Sequence, residues 1–163
     1  MEIVSGSSIK ITIYEKKIIG YVTYMGSNMY FDKDGTMVES STEVLENIPK
    51  VTGLEFDSIV LYEPLPVGDG EVFDLILDVT QTLQKYSIGV DKIYITDNKE
   101  VSVYIGDVKV ELGKNENMVE KISSLNDIIT TSNFDGQTLS GVLDMKVYNE
   151  NGEYTFERND KKN

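Results

Sequence analysis

Two stretches of this chain have apolar residues at helical spacing, and the other patterned stretches have the alternation of β-strands. Apolar side chains recur every three or four positions in residues 72–86 and again in residues 118–129. Short strand-like segments precede the first helix, lie between the two helices and follow the second. This order predicts an α+β domain with a mainly antiparallel sheet and two amphipathic helices on one of its faces.

The residues at the ends of the first helical stretch are suited to ending a helix. Asp69 can cap its N-terminus, and Gly89 lies close to its expected end. In the second stretch, Glu116 lies in the expected first turn, where a negative charge complements the helix dipole. We expect both apolar stripes to pack against the sheet, because core packing is the commoner role of such a stripe.

Turn residues predict how the strands are connected. A glycine that follows an aspartate or asparagine is typical of hairpins, and a two-residue loop that begins with glycine is typical of a type II′ turn. The predicted turns are residues 32–35, the four-residue loop 97–100, the type II′ pair Gly106-Asp107, and a type I′ turn at Asn151-Gly152. The last of these is expected to join strands at residues 140–148 and 153–157. Residues 50–54 are predicted to be a short strand or a bridging loop.

Composition excludes several classes of function. The net charge is −13, with 28 acidic and 15 basic residues, which argues against binding to a nucleic-acid backbone. The chain has no histidine and no cysteine, so a Ser-His-Asp triad, a cysteine nucleophile and a thiolate zinc site are impossible within it. No apolar run approaches the roughly 20 residues that a membrane-spanning helix needs.

Carboxylates are the remaining candidates for chemistry, and both groups considered have a simpler interpretation. Asp32, Asp34 and Gly35 suggest a calcium loop, but the further ligands of the EF-hand pattern are missing, so a hairpin turn is expected. Asp74 and Asp78 could act as acid and base on a glycosidic bond. They lie opposite the apolar stripe of their helix, and a solvated helix face is the expected role. No catalytic, cofactor-binding or metal-binding residue is predicted.

Four segments, in this order, resemble segments of one bacterial protein family. They are residues 11–22 (ITIYEKKIIGYV), residues 30–35 (YFDKDG), residues 49–54 (PKVTGL), and the Leu112-Gly113 turn with residues 143–147 (LDMKV). Their order and spacing over residues 8–157 are the evidence. In them the chain resembles the extracytoplasmic region of the bacterial cell-division protein FtsQ, called DivIB in Gram-positive bacteria.

The resemblance implies a division of the chain and a location. Residues 1–15 would be the last hairpin of a POTRA domain, and residues 16–157 would be the β domain of the family. The polar residues 158–163 are predicted to be a disordered tail. The resemblance further implies a full-length protein anchored in the cell membrane by a single helix that this chain lacks, with this region outside the cytoplasm at the division septum.

The resemblance implies a non-enzymatic divisome scaffold. Members of the family bind small coiled-coil division proteins of the FtsB/DivIC and FtsL types by adding a partner strand to an exposed sheet edge. The last predicted strand suits this role because it is short, aromatic and flanked by charge. We expect Tyr148, Tyr154, Thr155 and Phe156 to bind the partner. An equally weighted alternative is that the rings of Tyr154 and Phe156 complete the core.

A second function remains open from the sequence. The alternative is a module of the cell wall that binds glycan or muropeptide. It would bind wall fragments rather than a partner protein.

Overall fold

The structure is a computed structural model that describes residues 17–132, 134 and 139–159, and the backbone of residues 2–4 and 8–10. Its helices are α1 (Gly70–Lys85) and α2 (Met118–Thr131). Its strands are β1 (Glu2–Val4), β2 (Ser8–Lys10), β3 (Ile18–Tyr24), β4 (Ser27–Asp32), β5 (Met37–Ser41), β6 (Lys50–Thr52), β7 (Lys92–Ile95), β8 (Val101–Ile105), β9 (Val108–Gly113), β10 (Gly141–Asp144) and β11 (Thr155–Arg158). Neither helix in this described part of the chain is long and apolar enough to cross a membrane.

Nine of the strands form one sheet in the order β11-β10-β9-β8-β7-β6-β3-β4-β5. Five of its eight strand pairs are antiparallel, and the three parallel pairs are β3/β6, β6/β7 and β9/β10. The predicted α+β class with a mainly antiparallel sheet is therefore confirmed. Separately, β1 and β2 form an antiparallel hairpin, whereas the assignment of residues 1–15 to a POTRA domain stays a prediction. Residues 11–15 of the predicted hairpin segment lie outside the described residues.

The core lies between one face of the sheet and the two helices. Ile93, Val103 and Val110 are opposite one another on β7, β8 and β9, and all three are fully buried. The next residue along β7, Tyr94, points to the other face and is exposed. The helix residues that share the core are Leu75, Ile76, Val79, Leu83, Met118, Ile122 and Leu125. The prediction that both apolar stripes pack against the sheet is confirmed.

The start of α1 follows the prediction, whereas its end does not. The Asp69 carboxylate accepts a hydrogen bond from the backbone N–H of Glu71 at 2.9 Å. Lys99, in the β7–β8 loop, donates to Asp69 at 3.0 Å and lowers the pKa of this carboxyl group. The helix ends at Lys85, and Ser87 rather than Gly89 adopts the left-handed backbone conformation, with a φ of 54°.

Two of the four predicted turns are present in the structure, one as predicted and the other with a shorter loop. Gly106 has a φ of 56°, whereas Asp107 does not have a positive φ, which fits the predicted type II′ turn between β8 and β9. Between β7 and β8, Thr96 and Glu100 are still paired, because the Thr96 N–H donates to the Glu100 carbonyl at 2.9 Å. The loop is therefore one residue shorter than predicted.

The predicted type I′ turn at Asn151-Gly152 is wrong. This turn requires a positive φ at both central residues, and only Gly152 has one, at 72°. The Gly152 N–H donates to the Asn149 carbonyl at 3.0 Å, so Gly152 ends the turn instead of lying at its centre. The strands are also shorter than predicted, because the side chain of Asp144 accepts from the Lys146 N–H at 3.0 Å and bends the chain after β10. Ten residues therefore connect β10 to β11, which runs to Arg158, one residue past the predicted end of the β domain.

The turn between β4 and β5 is held by a buried carboxylate. Asp32 is 5% exposed, and its Oδ1 accepts from the backbone N–H groups of Asp34 and Thr36, each at 3.0 Å. The Gly35 N–H also donates to the Asp32 carbonyl at 2.9 Å. These contacts are those of a hairpin turn, in which the Asp32 side chain satisfies two backbone donors.

Replacing Asp32 with alanine is expected to lower the free energy of unfolding by about 2–3 kcal/mol, because two backbone donors lose a charged acceptor. Asp32→Asn keeps one side-chain oxygen and is expected to cost about 1 kcal/mol. Urea denaturation of the two variants and the wild type measures both values. Equal costs for the two variants would contradict this role of the Oδ1 acceptor.

Candidate partner-binding edge

One end of the nine-stranded sheet is formed by β11, whose only strand neighbour in the described structure is β10. All four of its residues are exposed, and Phe156 retains 36% of its accessible surface. In the register of this pair, Leu143 is opposite Phe156 and Gly141 is opposite Arg158. The predicted last strand is therefore an edge strand.

The hydrogen bonds of β10 determine which backbone groups of β11 point outward. The N–H groups of Gly141 and Met145 donate to carbonyls on the β9 side, those of Asp107 and Glu111, at 3.3 and 2.8 Å. The backbone groups of successive residues in a strand point to opposite sides, so those of Val142 and Asp144 point toward β11. Opposite those residues are Thr155 and Glu157.

It follows that the backbone N–H and C=O groups of Phe156 and Arg158 point away from β10, toward the open side of the edge. The Asn159 N–H donates to the Ser140 carbonyl at 2.9 Å, which is the alternation expected two residues beyond Glu157. Such unpaired groups are a template for an added strand.

The other end of the sheet is partly covered. At the start of β5, the Met37 N–H donates to the Glu63 carbonyl at 2.9 Å, and the Met37 carbonyl accepts from the Tyr62 N–H at 2.6 Å. Pro64 forms a bridge to Thr36 immediately beside them, and proline offers no donor to a further strand. No described residue covers β11 in this way, so its edge is the more accessible of the two.

An apolar groove lies beside β11 on the helix side of the sheet. It has a volume of 230 Å³. Its lining is formed by Ile128, Ser132, Phe134, Leu139, Leu143 and Phe156. Phe156 thus forms one wall of the groove and part of the open edge, so an added strand would lie at the mouth of the groove.

The structure places the four predicted binding residues in two neighbouring sites. Phe156 lines the groove, whereas Tyr148, Tyr154 and Thr155 line an open depression of 660 Å³ on the other side of the edge. The Tyr154 hydroxyl accepts from the Asn149 N–H at 3.2 Å and contacts its carbonyl at 3.4 Å. Tyr154 is half-buried against the core, so its ring serves the structure of the loop as well as the surface.

Charges on the open face of the sheet are paired on β9 and β10. Glu111 lies 3.4 Å from the Lys109 ammonium and 3.5 Å from that of Lys146, which is also 3.8 Å from Asp144. Among the described residues, the carboxylate of Glu157 forms no ion pair. Of the acidic residues on β9, β10 and β11, Glu157 is therefore the one that no described cation pairs with.

A buried lysine holds α2, which forms the far wall of the groove, against the sheet. Lys121 is 2% exposed, and its Nζ donates to the Leu112 carbonyl at 2.8 Å, at the end of β9. Burial lowers the pKa of this ammonium group. The contact fixes the position of α2 relative to β9 and β10.

The groove was not predicted. Its walls come from α2, from Phe134 and Leu139 in the following segment and from β10, and no local pattern brings them together.

Asp74 and Asp78 are both on the exposed face of α1, as expected, and Asp78 accepts a hydrogen bond from the Asn115 amide at 3.0 Å.

No protein-family model matches the chain, and no curated protein matches it. Among solved structures there is a weak likeness at the level of the fold. It is to the major extracytoplasmic domain of the trans isomer of the bacterial cell division protein DivIB from Geobacillus stearothermophilus, with a TM-score of 0.41 and 16% sequence identity. The alignment covers 73% of this chain and 89% of that chain.

Proposed function

We propose that this chain is a non-enzymatic scaffold of bacterial cell division that acts outside the cytoplasm and binds its partners through β11. The partners in this proposal are small coiled-coil division proteins of the FtsB/DivIC and FtsL types. Each would contribute a strand that extends the sheet. In the full-length protein, a single membrane helix preceding this region would hold it at the division septum.

The observation that carries the proposal is the outward direction of the Phe156 and Arg158 backbone groups on an edge strand. Strand addition needs unpaired main-chain donors and acceptors, and side chains beside them supply specificity. Both are present at β11, where the groove and the open depression flank the edge. The order of the family-like segments in the sequence supports the choice of partner class.

The proposal assigns no reaction to the chain. It contains neither histidine nor cysteine, and Asp74 and Asp78 lie on the solvated face of α1. Its interactions are those of an edge that pairs with another chain.

The proposal is tested by removing one outward N–H group and nothing else from the backbone. Arg158→Pro deletes this donor, which is not part of the β10–β11 ladder, and proline is tolerated on the open side of an edge strand. Arg158→Ala loses the same side chain but keeps the donor. Binding to the purified extracytoplasmic regions of the coiled-coil partners is expected to weaken at least tenfold for Arg158→Pro relative to Arg158→Ala.

Thermal unfolding of the two variants is the control, and we expect similar midpoints because the lost donor has no partner within the described chain. Equal partner binding by Arg158→Pro and Arg158→Ala would refute strand addition at β11. Absence of binding by the wild type to either partner would refute the partner class.

A further inference from the structure

We infer that the strand received by β11 carries a lysine or arginine opposite Glu157 and an apolar residue opposite Phe156. The inference rests on the proposed function, because it specifies the chemistry of the strand that the edge accepts. It follows from the two faces of β11: Glu157 lies on the open face, whereas Phe156 lies on the helix side, together with Arg158.

On the open face, Glu157 is exposed and lacks a compensating charge among the described residues. Its neighbour across the strand pair is Val142, which cannot neutralise it. The acids of β9 and β10 on the same face are already paired with lysines. A cation supplied by an added strand would therefore meet a carboxylate that no described residue pairs with, rather than compete with an existing ion pair.

The direction of the backbone groups makes this position selective. The backbone groups of Phe156 and Arg158 point outward, whereas those of Glu157 point toward β10. An added antiparallel strand would therefore form no direct backbone hydrogen bonds between Glu157 and the partner residue opposite it. In such pairs the Cα atoms are about 4.5 Å apart and the side chains are closest. Opposite charges directly across are stabilising there, and like charges are destabilising. An acidic residue at this position of the partner is selected against.

On the helix side, the partner residue opposite Phe156 would be in a hydrogen-bonded pair, with its Cα about 5.5 Å from that of Phe156, at the mouth of the groove. An apolar side chain there would cover the exposed part of the Phe156 ring. Successive residues of a strand alternate between faces, so the preferred partner alternates basic and apolar residues. The net charge of −13 also attracts a basic segment over longer distances.

Three fluorescent eight-residue peptides serve as probes: one alternating valine and lysine, one alternating valine and glutamate, and one alternating serine and lysine. Binding is measured by fluorescence anisotropy at about 0.15 M salt, where screening limits the range of electrostatic interactions to about 8 Å. We expect the valine/lysine peptide to bind the wild type at least tenfold more tightly than the glutamate peptide. We also expect it to bind at least fivefold more tightly than the serine peptide.

The decisive variant is Glu157→Lys. It is expected to weaken the valine/lysine peptide by about fivefold to tenfold and to strengthen the valine/glutamate peptide. The matched control is Glu55→Lys, which changes the net charge equally. Glu55 is an exposed residue just after β6, and β6 lies five strands from β11, or about 24 Å at the usual strand spacing. The control is expected to change binding less than twofold.

The outcomes separate this inference from the proposed function. If Arg158→Pro abolishes binding of the peptides while Glu157→Lys leaves their binding unchanged, strand addition at β11 is supported and the inferred charge preference is wrong. If Arg158→Pro and Arg158→Ala bind all the peptides alike, strand addition itself is refuted. Equal effects of Glu157→Lys and Glu55→Lys on peptide binding would show that the preference for basic peptides comes from the overall charge of the protein, which would contradict the inference. A dimer in light scattering that Arg158→Pro removes would identify a second copy of the chain as the occupant and overturn the inference.

Discussion

Replacing Gly53 with alanine is expected to lower the free energy of unfolding by about 3–5 kcal/mol, which is comparable to the whole stability of a marginal domain. Gly53 follows β6 directly and has a φ of 88°, which residues with a side chain rarely adopt. A Cβ at this position would lie 2.0 Å from the carbonyl oxygen of Ile95, on the neighbouring β7. The obstacle is backbone within the sheet, so the strain cannot be relieved by rotating a side chain.

Gly68→Ala is the matched control for this effect. Nothing lies within 4 Å of a Cβ built at Gly68, and its φ is not in the left-handed region. There the substitution is expected to be neutral or to stabilise by about 0.5 kcal/mol, because alanine restricts the unfolded chain. Urea denaturation of both variants gives the comparison. Similar stabilities for Gly53→Ala and Gly68→Ala would contradict the close approach of β6 and β7.

The position of Gly53 illustrates which parts of the fold the sequence could predict. The helices were predicted because their evidence is local: Ile76, Val79 and Leu83 repeat at helical spacing within a single segment. The neighbours of β6 were not predicted. It has only three residues, and it pairs in parallel with β3 through Lys50 and Tyr21 and with β7 through Lys50 and Lys92. These partners are about 30 and 40 residues away in the chain, and no local periodicity records such pairings.

The end of the chain shows tertiary contacts overriding a local turn preference. Asn151-Gly152 favours a tight hairpin by composition, but β10 is also paired in parallel with β9, and Asp144 bends the chain away after it. The edge position of the last strand could be anticipated from its short, charged and aromatic sequence. The groove beside it could not, because Ile128 and Leu143 come together only when α2 packs over β10.

Replacing Gly141 with alanine is expected to detach β11 without unfolding the rest of the sheet. A Cβ at Gly141 would lie 2.2 Å from the Glu157 carbonyl oxygen, 2.8 Å from Cζ of Phe156 and 3.0 Å from Cα of Arg158. All three atoms belong to β11, so the clash is relieved when this single strand moves away. An edge strand of four residues makes few contacts, and its local opening costs much less free energy than global unfolding.

Amide hydrogen exchange resolves this local effect. The N–H groups of Glu157 and Asn159 face β10, and in Gly141→Ala we expect them to exchange at least tenfold faster than in the wild type. The amide of Val103, in the middle of the sheet, is expected to keep most of its protection. Gly89→Ala is the control, because nothing lies within 4 Å of a Cβ at that position. Unchanged exchange at Glu157 would contradict the packing of β11 against Gly141.

The same variant connects the stability of β11 to its proposed role. A strand that has left the sheet no longer presents an ordered edge, so a partner would have to restore β11 before pairing with it. Partner binding is therefore expected to fall in Gly141→Ala by the factor by which the ordered state of β11 is depopulated, a factor that exchange at Glu157 measures independently. Full binding by a variant whose β11 amides have lost protection would place the interface elsewhere on the domain. A matching loss in both measurements would identify the paired strand as the surface that the partner requires.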